Sequence, residues 1–305
     1  MVRLLERIRE GGRSLVLSGP TGSAAHLCLY LIARETSGSL LVITPNDSTA
    51  ERLVADLRSL AALIPPDRGE GLEVAGFPSL GTDPYQGLPV HPQSAWERVD
   101  FLCRLRKGAR GIFTCSVTSL LPPLMPPGVF AESMVRLKEW QDAGLDRLQA
   151  RLVANGYTRV DMVTQRGEWS RRGGILDIHP AGSNHPIRVE LFGDQVESIR
   201  TFDPWTQMSL DRKSEVEIPP MREFSLTSVH VERLMEILDP EDRPARETGI
   251  ESRAEALRDR GYFMGAEMLA GLVYPEKHTV FDYLEGPSLV VVDRPDEVAE
   301  TVTRG

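Results

Sequence analysis

The sequence predicts an α/β protein in which a parallel-sheet domain is interrupted by a small α+β domain with an antiparallel sheet. Strand-like apolar runs alternate with helix-like segments over the first 115 residues, a pattern typical of parallel βαβ units. After residue 156 the hydrophobic period changes to two, which is typical of half-buried antiparallel strands. A final apolar run at 288–293 has no strand beside it in the sequence. We therefore expect it to join the first sheet and make that domain discontinuous.

The first segment shows a separate local pattern for each element. Apolar residues at helical spacing predict a helix over 24–34, and Ser48 and Glu51 form an S-x-x-E capping box before the next helix. Short apolar runs bounded by Gly, Pro or Asn predict the strands between them. The predicted strands of this segment are 14–17, 40–44, 74–77 and 111–115.

The second segment is predicted to be one helix followed by an antiparallel meander. The helix covers 140–155 and ends at a C-cap on Gly156. Turns at 172–174, 183–184 and 193–194 separate the strands. The predicted strands are 159–164, 175–179, 187–192 and 196–202, and the helices expected after them are 229–238, 251–260 and 265–271.

Proline-rich segments set the expected domain boundaries. Residues 121–128 read LPPLMPPG, which cannot continue a helix, and a second break falls at 218–220. The prediction is therefore 1–125 for the first part of the α/β domain, 132–218 for the inserted α+β domain, and 219–305 for the second part of the α/β domain. We expect the insert to fold independently.

Composition disfavours membrane, disulfide and metal chemistry. Hydrophobic residues make up 41% of the 305 and charged residues 26%, but the longest aliphatic runs are far shorter than the roughly 20 residues of a membrane span. The three cysteines lack CxxC spacing, and the first residues lack the apolar core of a signal peptide. We expect a cytoplasmic protein with no metal and no cofactor. His179 and His185 are predicted to be solvated, and Trp96, Trp140, Trp169 and Trp205 to be packing residues.

The loop at 19–26, GPTGSAAH, lies where a phosphate-binding loop belongs, between a predicted strand and a helix. A working loop reads GxxGxGK[ST] in this local form; its Lys contacts the β- and γ-phosphates and its hydroxyl binds Mg²⁺. Here Ala25 replaces the Lys and His26 replaces the hydroxyl residue. We predict a P-loop-like fold with a degenerate nucleotide loop and no catalytic residue. The loop residues concerned are Gly19, Gly22, Ser23, Ala24, Ala25 and His26.

Residues 156–207 carry a long ordered pattern: a GY-x-R start, an R-R-G step, I-L-D-I-x-P, R-V-E-x-F-G-D, and I-R-x-F-D-x-x-x-Q. This resembles the module shared by UvrB and the transcription-repair coupling factor family. Segments at 83–92, 261–263 and 279–284 resemble the coupling factor as well, so the resemblance covers nearly the whole chain. The degenerate loop and the absence of a long Tyr-rich hairpin favour the coupling factor over UvrB.

The resemblance implies that the inserted domain binds UvrA. Arg172, Arg188 and Phe192 match the interface positions of the family, with Glu190 and Arg200 as secondary candidates. Arg188, Glu190 and Phe192 alternate along one strand and so share one sheet face. Arginine and aromatic residues are also common interface hot spots. Judged without the resemblance, Phe192 in a core and two solvated arginines remain the alternative.

The implied function is that of an adaptor recruiting UvrA in transcription-coupled nucleotide excision repair, without ATPase activity of its own. The full-length protein would be an ATP-dependent DNA translocase that also binds RNA polymerase and double-stranded DNA. No polymerase-binding or motor segment is recognised in the 305 residues, so we expect part of a larger protein. One alternative is a UvrB-like helicase subunit, against which Ala25 and His26 argue. The other is a DNA-binding module, which the lack of a basic stripe at a net charge of −9 disfavours.

Overall fold

A computed structural model describes residues 15–64, 72–81, 90–224, 228–238, 257, 266–274 and 276–304. The fold is mixed α/β with one parallel sheet and separate antiparallel sheets, as the fold class predicted. The chain divides into two compact units. Unit 1 draws on residues up to 79, on 101–121 and on residues from 283 onward, and unit 2 on 80–100 and 122–282.

Unit 1 is built on a four-stranded parallel sheet. Every residue of its two central strands is buried, as expected where helices cover a parallel sheet. The last strand pairs in parallel with the first over five residue pairs, from Ser39 opposite Ser288 to Ile43 opposite Val292. The prediction that the terminal strand joins the first sheet is therefore confirmed. The sheet order is β12 (Ser288–Val292), β1 (Ser39–Thr44), β3 (Gly111–Ser116) and β2 (Glu73–Phe77).

Helices α1 (Ser23–Glu35) and α2 (Asp47–Leu63) contribute Tyr30, Leu53 and Leu57 to the core of unit 1. Helix α2 is capped by Asn46, whose Oδ1 accepts a bond of 3.0 Å from the Thr49 amide. The predicted cap at Ser48 is wrong, because Asn46 makes the cap bond two residues earlier and the Ser48 hydroxyl donates to its side chain. Two further helices in the described residues of unit 1 are α4 (Val117–Leu120) and α9 (Pro295–Arg304), of which α9 was not predicted.

The strand predicted over 14–17 is not formed in the described residues 15–17. No described strand pairs with them, and Val16 is 92% exposed. An apolar run becomes a strand only where a neighbouring strand accepts its backbone hydrogen bonds. Helix α1 therefore follows an unpaired segment.

Unit 2 contains a six-stranded sheet whose strands follow chain order. Neighbours are antiparallel apart from the first pair, which is parallel. Leu148 and Leu152 of helix α6 (Leu145–Ala154) share a core with the apolar side chains of this sheet. The strands are β5 (Thr158–Arg159), β6 (Glu168–Arg172), β7 (Ile175–Ile178), β8 (Ile187–Phe192), β9 (Gln195–Phe202) and β10 (Ser209–Lys213).

Three of the four strands predicted in this segment are confirmed, and the remaining differences have local causes. The strand predicted over 159–164 is reduced to β5. The helix predicted over 140–155 begins only at Leu145, because Trp140 and Gly144 have positive φ angles of 70° and 55° and form a turn before it. Strands β6 and β10 were not predicted, nor were β4 (Val135–Lys138) and β11 (Glu215–Ile218), which pair with each other.

The described residues of unit 2 contain further helices besides α6. Helix α5 (Pro127–Ser133) begins inside the predicted break, with Pro127 in its first turn, where proline is tolerated. Helix α7 (Ser228–Leu238) confirms the helix predicted over 229–238, whereas 251–260 lies outside the described residues apart from Leu257. The helix predicted over 265–271 is seen as a 3₁₀ turn, Ala266–Leu269, followed by α8 (Ala270–Val273).

The first part of helix α3 (Pro92–Arg106), up to Asp100, belongs to unit 2 although it precedes the predicted insert. Arg98 and Glu223 form a buried ion pair at 2.5 Å, and the Arg166 guanidinium lies 4.5 Å from the centre of the Trp96 ring. Independent folding of 132–218 stays a prediction. Among the described helices, none has the length and apolar character needed to cross a membrane.

Candidate functional site

Strand β8 separates two chemically different sheet faces. Ile187, Val189 and Leu191 are buried in the core that α6 also lines. Arg188, Glu190 and Phe192 alternate with them and lie on the opposite face, as predicted. We call this opposite side the outer face and define it by Arg172, Asp177, Arg188, Glu190, Phe192 and Arg200.

The outer face is organised around the carboxylate of Asp177, which is 1% exposed. Asp177 lies opposite Arg188 in the β7–β8 register. Arg188 donates from Nε to Oδ1 at 2.7 Å and from Nη2 to Oδ2 at 2.9 Å, a two-bond geometry that is among the stronger ion pairs. Arg172 donates to Oδ2 at 3.2 Å. Sequence reasoning missed Asp177, although an acidic residue between Leu176 and Ile178 in a strand is an available signal.

The Arg188 side chain has further neighbours besides Asp177 and is only 16% exposed. Its Nη1 and Nη2 donate to the backbone and side-chain oxygens of Gln207 at 3.3 and 3.1 Å. Its guanidinium lies 4.4 Å from the centre of the Phe202 ring. Hydrogen bonding to Asp177 raises the pKa of Arg188 above its ordinary value. Arg188 is therefore less exposed than predicted, because its guanidinium bonds to the cross-strand carboxylate and to Gln207, and its contact with UvrA stays a prediction.

The accessible groups of the outer face are Phe192, Arg172, Glu190 and Arg200. Phe192 is 75% exposed at the end of β8, and the Arg172 side chain is 54% exposed. Glu190 accepts from the Ser198 hydroxyl at 2.6 Å and lies 3.8 Å from Nη2 of Arg200. Arg172 and Arg188 are brought together because both donate hydrogen bonds to the Asp177 carboxylate. Phe192 is four residues from Arg188, roughly 13 Å along the strand.

A tight turn positions Arg172 beside Asp177. Gly173 has a φ of 61° between β6 and β7, which favours glycine. Gly174 lies so close to the next strand that a Cβ there would stand 2.6 Å from the Leu191 carbonyl oxygen. The RRG sequence thus returns the chain so that Arg172, at the end of β6, reaches the acceptor on β7.

Trp140 lies in a second turn, after β4. The Gln141 amide donates to the Lys138 carbonyl at 3.2 Å, and Trp140, with φ 70°, occupies the third turn position, where glycine is preferred. Left-handed backbone costs a residue with a side chain roughly 1–2 kcal/mol. Trp140 is nevertheless 66% exposed. The prediction that it packs inside is wrong, as it is for the exposed Trp205, whereas Trp169 is buried as predicted.

The glycine-rich loop of unit 1 leads into helix α1. Gly19 and Gly22 have φ angles of 114° and 54°, and α1 starts after Gly22 without a side-chain cap bond. His26 Nδ1 lies 2.6 Å from Oδ2 of Asp56, so the imidazole links α1 to α2. Ala25 offers no amine, and residues 19–26 contain neither Lys nor Arg. The part of the chain that the structure describes also brings no three His, Cys, Asp or Glu side chains together as a metal site.

His179, predicted to be solvated, is buried where β7 ends. Its Nε2 lies 3.3 Å from the Ser183 carbonyl oxygen, while Nδ1 is buried without a hydrogen-bond partner. Burial lowers the pKa of His179 from 6.5 to about 4. The prediction failed because a His-Pro pair at a strand end favours a loop but does not show which side chains cover it. His185 is exposed, as predicted.

Arg188→Ala should lower the free energy of unfolding by on the order of 3 kcal/mol, because it leaves the buried Asp177 carboxylate with one partner. Arg172→Ala should cost less than about 1 kcal/mol, since that partner is half-exposed. Urea denaturation followed by circular dichroism measures both changes. Equal costs for the two variants would contradict the central position of the Arg188–Asp177 pair.

The folded state should lose stability as the pH falls from 6.5 towards 4. In that window the imidazole of the unfolded chain binds a proton that buried His179 does not, so the stabilisation present above pH 6.5 is lost, up to about 3 kcal/mol. Urea titrations at several pH values should show this slope in the parent and in His185→Gln. In His179→Gln the free energy of unfolding should depend less steeply on pH. An unchanged pH dependence in that variant would exclude His179 as the cause of the loss of stability.

Comparison of the amino-acid sequence with known proteins identifies relatives of this chain. Residues 135–224, which include the whole six-stranded sheet, match the family model of the UvrB interaction domain. The chain is 32% identical over 236 residues to the transcription-repair-coupling factor of Bacillus subtilis, covering 77% of this chain and 19% of that protein. It is 29% identical over 282 residues to the transcription-repair-coupling factor of Haemophilus influenzae, covering 90% of this chain and 23% of that protein. It is 27% identical over 302 residues to the factor of Staphylococcus epidermidis, covering 95% of this chain and 25% of that protein.

The chain thus spans about a fifth to a quarter of the length of these relatives. The similarity to the last two relatives nevertheless extends over both units, since it covers 90% and 95% of the chain. The matched interaction domain carries the outer face. These matches identify the chain with the N-terminal UvrB-like region of the bacterial transcription-repair coupling factor family.

Proposed function

We propose that this chain is an adaptor that binds UvrA through the outer face and recruits it in transcription-coupled nucleotide excision repair. The observation that carries the proposal is Phe192, an aromatic side chain 75% exposed at the end of a strand inside the matched interaction domain. A large apolar side chain left in water is unfavourable in the free protein. Covering it with a partner recovers that free energy.

The charges around Phe192 define the partner surface. Arg172 uses one hydrogen bond to Asp177, and a guanidinium has five N–H donors, so it can bind an acceptor on a partner as well. Arg200 is partly exposed on the neighbouring strand. This arrangement suits a UvrA surface with an apolar recess rimmed by carboxylates. Arg188 acts as a positioning residue, because it holds the carboxylate that orients Arg172.

We propose further that the chain has no ATPase activity of its own. The loop at 19–26 lacks the Lys and the hydroxyl that bind nucleotide phosphates and Mg²⁺, and His26 is engaged by Asp56. The same substitutions argue against a UvrB-like helicase subunit, and no observation favours a DNA-binding module. By kinship with the coupling factors, the full-length protein would be a cytoplasmic ATP-dependent DNA translocase that contacts RNA polymerase and double-stranded DNA.

Phe192→Ala and Arg172→Ala should each weaken binding to purified UvrA at least tenfold, about 1.4 kcal/mol or more. Surface plasmon resonance with the immobilised chain measures the affinity. Arg147→Ala is the matched control, because Arg147 is exposed on α6, which packs against the other face of the sheet. Parent-like binding by both test variants would make the site assignment wrong, and a parent chain that does not bind UvrA would make the function wrong.

Isothermal titration calorimetry of the chain with Mg-ATP should show no saturable binding up to millimolar concentrations. The physical reason is that residues 19–26 contain no Lys or Arg to neutralise the phosphates, and a helix N-terminus alone binds anions weakly. The same chain should release no phosphate above background in a coupled assay. A micromolar dissociation constant for Mg-ATP would refute the description of the loop as degenerate.

A further inference from the structure

Trp140 is the feature of unit 2 that local preferences explain least. It combines a left-handed backbone, at a turn position that favours glycine, with an indole that is 66% exposed. The ring is mostly exposed, so its burial does not offset the free-energy cost of the left-handed backbone. A residue held in such a conformation points to a function for its side chain.

The position of Trp140 connects it to the outer face. Its amide donates to the Val196 carbonyl at 2.7 Å, and the Val196 amide donates to the Gln141 carbonyl at 2.9 Å. The turn after β4 therefore lies along the start of β9, on the side away from β8. On the β8 side, Gln195 pairs with Phe192, while its side-chain amide donates to the Trp140 carbonyl at 3.4 Å.

Trp140 and Phe192 thus flank β9 from its two sides. Adjacent strands are about 4.8 Å apart, so the backbones carrying the two aromatic rings are roughly 10 Å apart. Each ring is more exposed than covered. Two exposed aromatic side chains at this separation can be reached by one partner surface.

We propose that Trp140 and Phe192 together anchor UvrA, so that the binding surface extends from β8 across β9 to the turn after β4. The inference rests on the proposed function, because it assigns UvrA as the occupant through continuity with Phe192 and the outer face. Tryptophan is among the residues most enriched at interface hot spots. UvrA would supply an apolar recess for each ring.

Trp140→Gly separates this role from a structural one. Glycine fits the turn better than tryptophan, so the urea midpoint of the variant should stay the same or rise. Its affinity for UvrA should fall at least tenfold, because the indole is lost. A packing role for the indole predicts the opposite signature, with a lower midpoint and unchanged affinity. Trp205→Ala, which removes another exposed indole of unit 2, should bind like the parent.

The binding series distinguishes this inference from the proposed function. If Phe192→Ala loses affinity and Trp140→Gly binds like the parent, the inference is overturned and the proposed function stands. A parent chain that does not bind UvrA overturns both. Light scattering tests the other occupant: a parent dimer that Trp140→Gly converts to a monomer would assign the indole to a second copy of the chain and overturn the inference.

Discussion

The buried carboxylate of Asp177 constrains the whole outer face of the six-stranded sheet. A charge removed from water is tolerated only when it is paired and hydrogen-bonded. Two strands meet that requirement with arginines, Arg188 from β8 and Arg172 from the end of β6. Because Arg188 makes these bonds, the half-exposed Arg172 and Phe192 are the side chains of the outer face that we propose for contact with a partner. A stability requirement inside the sheet therefore selects which side chains the surface presents.

The two units differ in what their chemistry supports. Unit 1 has a well-buried parallel sheet and a helix following a glycine-rich loop, but residues 19–26 contain no Lys or Arg and His26 bonds to the next helix. Unit 2 exposes the aromatic ring of Phe192 on the same sheet face as the half-exposed Arg172. This division favours recognition of a protein partner over turnover of a nucleotide.

Sequence patterns predicted the elements and faces that depend on local periodicity. The alternation in β8 placed Arg188, Glu190 and Phe192 on one face because side chains in a strand have a period of two. The same alternation does not show what lies across the sheet, so it missed Asp177 and overestimated the exposure of Arg188. Strand β10 was not predicted, because all five of its residues are exposed and it lacks the alternation of buried and exposed side chains that indicates a strand. The predicted helix wrongly included Trp140, because its local sequence does not show its left-handed backbone. Hydrogen bonds join this turn to β9, about 55 residues later in the chain.

Hydrogen–deuterium exchange of the chain with and without UvrA tests the central claim most directly, since it maps the contact without any substitution. The account predicts slower exchange on binding in 138–143, 170–177 and 187–196, and no change in the loop at 19–26 or in α6. Exchange that slows at 19–26 or across α6 while the outer face stays unchanged would contradict it.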